Sequence, residues 1–164
     1  MMNLLEDIVT WQDKGDARSW HHILNSVFSA PADDVALLDA LRLEDQGRYS
    51  DAVVRMVRGM PRWALNPSAH HCMARCHEAL GSREAAEVER YLARLGLRTI
   101  LDSGDGSRSR PWRVLRVADI YDVCLHRGVE VAEQELVGPG LDRILDTGGG
   151  SSWFQLIEWG EAKR

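Results

Sequence analysis

The first hundred residues space their apolar side chains as helices do. Leu4, Leu5, Ile8 and Val9 recur every three or four positions, as do Trp20, Ile23, Leu24, Val27 and Phe28. Two short amphipathic helices are therefore predicted, broken at Lys14-Gly15-Asp16. Pro31-Ala32-Asp33-Asp34 supplies a loop and a cap for a helix carrying Val35, Leu38 and Leu41, which Gly47 can close in the left-handed conformation. Ser50 caps the next helix, with Val53, Val54, Val57 and Met60 as its apolar face. Asn66-Pro67 places a capping side chain before a proline at the first helical position. Gly81 closes that helix and Ser82 opens another, whose Val88, Tyr91, Leu92 and Leu95 face inward until Gly96.

A period runs through these helices. Gly47 and Gly81 are 34 residues apart, and so are Ala52 and Ala86, and Ala40 and Ala74. That is the tetratricopeptide period, in which a glycine turns the chain and small residues stand where the two helices touch. Arg48-Tyr49-Ser50-Asp51-Ala52 resembles the turn and second-helix start of that motif. Ser82-Arg83-Glu84-Ala85-Ala86 keeps the alanine without the aromatic. Two copies are fewer than a free-standing solenoid needs, so the flanking segments are expected to cap them.

From Ile100 the texture changes. Asp102-Ser103-Gly104-Asp105-Gly106-Ser107 reads as a loop, Trp112–Val117 as a strand, and Asp119–Leu125 as a helix ending at Gly128. Val131–Val137 and Leu141–Thr147 read as strands around Gly138-Pro139-Gly140. Gly148–Ser152 connects to a last strand, Trp153–Trp159, apolar on both faces and so expected inside the sheet. The predicted class is α+β: N-terminal tetratricopeptide-like hairpins packed on a small antiparallel C-terminal sheet. Residues 1–99 form the helical part and 100–164 the small α+β part of one cooperative domain.

Residues 60–159 resemble an uncharacterised bacterial domain-of-unknown-function family that joins tetratricopeptide-like helices to a Ser-Gly-Asp-Gly loop and a β-rich tail. The stretches that carry the resemblance are Asn66-Pro67-Ser68-Ala69-His70, Ser103-Gly104-Asp105-Gly106, Ile120-Tyr121-Asp122, Gln134, Leu141-Asp142 and Trp153-Phe154. The family carries an acidic pair before the tyrosine, where this chain has Asp119-Ile120. The resemblance implies the same fold and brings no established activity.

Composition narrows the function classes. With 20 Lys+Arg against 25 Asp+Glu the net charge is −5, which argues against non-specific nucleic-acid binding. No apolar run reaches membrane-spanning length, so no membrane partner is expected. Glu6 and Asp7 interrupt the opening apolar residues, so they do not read as a secretory signal. With Cys72, Cys76 and Cys124 as reduced thiols, a cytoplasmic location is expected. The charge alternates along the chain: residues 1–47 carry −6, residues 48–116 carry +6 and residues 117–164 carry −5. Pairing between these blocks is the first expectation.

Candidate chemistry is sparse. His70, His71, Cys72, Cys76 and His77 are the densest metal-capable cluster, though a zinc site would need a further ligand pair. The plainer expectation has His70 and His77 hydrogen-bonded within a helical core. Asp102–Gly106 fails as an EF-hand, because glycines fall at the third and fifth positions and Arg113 at the twelfth. Asp102 and Asp105 are expected to hold backbone N–H groups of a tight turn beside Arg108, Arg110 and Arg113. No nucleophile elbow, phosphate loop or dinucleotide fingerprint is present.

The expected function is non-catalytic: stoichiometric recognition of a partner protein, for example a bacterial immunity or inhibitor protein that occludes a toxin. No cofactor or metal is assigned. A hairpin groove lined by Leu37, Leu41, Glu44, Asp45, His71, Arg75 and Glu78 is the expected binding surface. Trp63 and Trp112 are candidate anchors, and Asp102 and Asp105 further contacts. The alternative is an enzyme or metal-binding protein using the His70–His77 cluster or the Asp102–Asp105 loop.

Overall fold

A computed structural model describes residues 3–157. Six helices come first: α1 (Leu4–Lys14), α2 (Ala17–Ser29), α3 (Ala36–Asp45), α4 (Tyr49–Gly59), α5 (Pro67–Ala79) and α6 (Arg83–Asp102). Strand β1 (Trp112–Val114), helix α7 (Val117–His126) and strands β2 (Val131–Gly138), β3 (Leu141–Asp146) and β4 (Ser151–Leu156) complete an α+β fold. No helix among the described residues is long and apolar enough to cross a membrane.

The chain forms two compact units. Of the described residues, one unit holds those up to Ala64 together with Cys72–Val88; the other holds Leu65–His71 and residues 89–157. The division thus falls inside α5 and α6 rather than at residue 99.

In the first unit the 34-residue period is written into the backbone. After α3, Gln46 N–H donates to Arg42, Gly47 to Glu44, Arg48 to Leu43 and Ala52 to Arg48; after α5, Leu80 donates to Cys76, Gly81 to Glu78, Ser82 to His77 and Ala86 to Ser82. Each bond of the second set lies 34 positions after its counterpart. Gly47 and Gly81 both turn the chain at positive φ (71° and 78°), as the repeat requires. A further hairpin, α1 and α2, precedes them around the left-handed Gly15.

The buried faces differ from those expected. In α3 the buried positions are Ala36 and Ala40, and in α4 they are Ala52, Met56 and Gly59. Val35, Leu38, Val54 and Val57, expected inside, are exposed. The reason is close helix approach: a Cβ on Gly59 would stand 2.9 Å from the Cβ of Ala36, so only small residues fit there. The expected caps are absent too. Neither α3 nor α4 has a side-chain cap, and Asp33 instead accepts both terminal nitrogens of Arg55 at 2.7 Å. Arg55 also reaches Asp39, so the basic block does pair with the acidic block before it.

In the second unit α6 runs through Gly96 to Asp102. Gly96 serves close approach rather than termination, because a Cβ there would lie 1.9 Å from the carbonyl oxygen of Leu65. The sheet order is β1-β4-β3-β2. β4 pairs antiparallel with β3 but parallel with β1, so the sheet is mixed where an antiparallel one was expected. The parallel pair arises because α7 carries the chain across after β1. β4 is an interior strand, as its two apolar faces predict; Trp159 lies outside the described residues. One face of the sheet is covered by α7, with Val114, Ile120, Val123, Ile144 and Phe154 in the core.

Candidate functional site

Two of the expected partner contacts meet in the first unit. Arg75 on α5 donates to both carboxylate oxygens of Glu44 on α3, at 2.5 and 2.7 Å, and this pairing holds the Glu44 carboxyl below its usual range. Behind the pair lie the thiols of Cys72 and Cys76, one helical turn apart on α5 and fully buried. Among the described residues, Glu44, Cys72 and Cys76 are a metal-capable group, their ligand atoms all within 4.8 Å of one another. The sequence cluster of histidines and cysteines does not assemble as such: no histidine belongs to this group. Burial pushes both thiols up, so neither is a thiolate nucleophile near neutrality. Sequence spacing put the two cysteines on one face; the signal that adds Glu44 is the repeat, which sets the first helices of consecutive hairpins side by side.

The other expected residues lie in varied surroundings. Asp45, His71 and Glu78 are exposed. Trp63 and Trp112 are corrections: they are only 5% and 4% exposed and are not available as surface anchors. Trp63 donates its indole N–H to the Asp33 carbonyl at 2.8 Å. Trp112 packs against Phe154, with ring centroids 5.4 Å apart, and covers Gly106, where a Cβ would meet the indole at 2.5 Å.

Asp102 is also a correction: it is the last residue of α6 and faces Arg98 at 3.4 Å instead of belonging to the loop. Asp105 does what was expected of it, accepting Ser107 N–H at 2.9 Å, and it pairs with Arg110 at 3.5 Å. The loop is a clasp. Ser103 Oγ accepts Arg113 N–H at 2.8 Å, and the Gly106 carbonyl accepts Trp153 N–H at 2.9 Å.

The second unit contains a buried polar knot that sequence reasoning missed. Asn66 caps α5, its Oδ1 accepting Ala69 N–H at 2.8 Å, while its Nδ2 donates to Asp119 at 2.7 Å and Asp122 at 2.9 Å. Asp119 also accepts the backbone N–H groups of Leu115 and Arg116. Asp122 also accepts the Ser68 hydroxyl, yet burial raises its carboxyl above the ordinary range. His70, buried as expected, accepts Leu65 N–H at Nε2 (3.1 Å), which leaves Nδ1 to donate to Glu89 at 2.6 Å. A Leu65 in left-handed conformation, φ 60°, is held by that bond. These reciprocated bonds hold α5, α6 and α7 in register and leave the knot an architectural role.

No family model matches the chain, and no curated protein or solved structure does either.

The stretches on which the expected resemblance rests all lie in the second unit, and most of them serve its architecture. Asn66, Ser68, His70 and Asp122 belong to the knot, Ser103 and Gly106 to the clasp, and Phe154 to the core. A further chain runs outward: Tyr121 O–H donates to Gln134 at 2.6 Å, and Gln134 Nε2 donates to the buried Asp142 at 2.9 Å. It ties the outer face of α7 to β2, one of the two edge strands of the sheet.

Proposed function

We propose that the protein is a stoichiometric protein-binding module whose recognition surface is the outer face of α7 together with the edge strand β2. The observation that carries this reading is an apolar stripe at Val117, Tyr121 and Leu125, one residue per turn and 48%, 46% and 78% exposed. Leu136, 72% exposed, continues it on β2, on the same face as Gln134, which Tyr121 holds. Apolar exposure in the hairpins follows from close packing, which leaves large side chains outside; the α7 stripe has no such origin. Contiguous exposed apolar surface rimmed by polar groups marks interaction sites.

Among the described residues β2 pairs only with β3, which leaves its other backbone edge open to a partner strand. A second copy is a poor occupant: antiparallel self-pairing centred on Gln134 sets Glu133 against Glu135, and like charges opposite one another destabilise. The fitting partner is a different protein offering an extended segment, apolar beside Leu136 and basic beside Glu133, since Glu135 is already held by Arg143. A net charge of −5 favours a cationic partner in general, and a basic toxin is the first class to test.

Tagged full-length chain should capture such a partner from its host at one-to-one stoichiometry. The doubly substituted Leu125→Asp/Leu136→Thr chain should lose that capture, while Val54→Asp/Val57→Asp keeps it. Capture lost only in the α4 variant would move recognition to the hairpins and overturn this assignment.

A further inference from the structure

We propose that Glu44, Cys72 and Cys76 form a binding site for a thiophilic divalent cation such as zinc. The donor set is two thiols and one carboxylate, from α3 and from successive turns of α5, with ligand atoms within 4.8 Å. Tetrahedral zinc with Zn–S bonds of about 2.3 Å sets its sulfurs roughly 3.8 Å apart, inside the 4.8 Å that bounds the separations of the donor atoms here. Softness matches as well, since thiolates select zinc and cadmium over magnesium or calcium.

Charge balance favours the exchange. In the unloaded site two neutral thiols face the Glu44 carboxylate, to which Cys72 hydrogen-bonds, and Arg75 neutralises that carboxylate. One cation entering as both thiols ionise replaces two protons, so the net charge of the cluster does not change; the two protons leave to solvent. Burial that raises the thiols alone is reversed once a cation sits beside them. With one Glu44 oxygen on the metal, Arg75 still holds the other, the kind of outer hydrogen bond that orients a ligating carboxylate. Three protein donors leave a fourth position for water or an exogenous ligand. Cys124, buried in the other unit, belongs to no such group and serves as the control.

The test titrates cadmium and zinc into the full-length reduced chain. Binding of one cadmium should produce a thiolate-to-metal ultraviolet band and release two protons, read with an indicator dye. Cys72→Ala/Cys76→Ala should abolish the band, and Glu44→Gln should weaken binding by about tenfold or more. Cys124→Ala should bind as the unaltered chain does. Circular dichroism checks that each variant is folded. Absence of both band and proton release in the folded unaltered chain overturns the proposal without reference to any variant. A band that persists without Cys72 and Cys76 overturns it equally.

Discussion

In the α3–α4 hairpin the side chains removed from water are Ala36, Ala40, Ala52 and Met56; beneath α7 they are Phe154, Ile120, Ile144, Val123 and Val114. The hairpin gains its stability from two helices close enough to exclude any Cβ at Gly59. The sheet unit has a helix lying over a pleated surface, and the wider gap must be filled by branched and aromatic side chains. The difference teaches how to read exposed apolar residues. Val54 and Val57 are outside because α4 turns Ala52, Met56 and Gly59 inward, with Gly59 pressed against Ala36, whereas Leu125 and Leu136 are outside although the neighbouring core takes large residues readily.

The comparison can be broken most violently in the sheet unit. Phe154→Ala removes the largest fully buried side chain and should cost about 3 to 5 kcal/mol in denaturant unfolding, since a close-packed core collapses only in part around the void. The hairpin should respond to the opposite change. Ala52→Leu, at a fully buried position, should cost about 1 to 3 kcal/mol through overpacking, where the same enlargement on an exposed site would be silent. If Ala52→Leu is silent, the close-approach account of the hairpin fails.

A smaller contrast is set by pH. Asp33 and Glu44 are lowered from their ordinary values of 3.8 and 4.5, chiefly by hydrogen bonds from Arg55 and Arg75. Their contribution is therefore present above those values and lost as the pH falls through the lower folded ones. Asp122 runs the other way. Burial raises it above 3.8, so its ionised form weakens the fold at neutral pH, and protonation on acidification removes that penalty. In unfolding measured across roughly pH 3 to 6, Glu44→Gln should flatten the acid loss of stability and Asp122→Asn should steepen it. Curves that superimpose would remove both assignments.

The helical boundaries were legible because glycine, proline and capping signals are local. Gly15, Gly47 and Gly81 mark turns, and Asn66-Pro67 opens α5 as its chemistry dictates. The repeat was legible through its alanines. Which face of each helix turns inward was not, because apolar periodicity assumes that the largest side chains are buried, and close helix approach inverts that rule at Val54 and Val57. The polar knot was illegible for another reason. Asn66 and Asp119 are 53 residues apart, and nothing in local pattern distinguishes their hydrogen bond from a solvated pair. Cys72 and Cys76 were visible as a pair, but Glu44 joins them only once two hairpins are stacked. Trp63 and Trp112 misled because arginine beside tryptophan suits an interface, whereas here both indoles fill core positions.

Leu125→Asp/Leu136→Thr should change unfolding stability by no more than about 0.5 kcal/mol, the smallest effect among these variants, because both positions are exposed. The most direct measurement of the central claim is amide hydrogen exchange of the chain with and without its captured partner. Slowed exchange in β2 and along α7, with α3 and α4 unchanged, is the predicted result. Protection confined to α3 and α4 would contradict it.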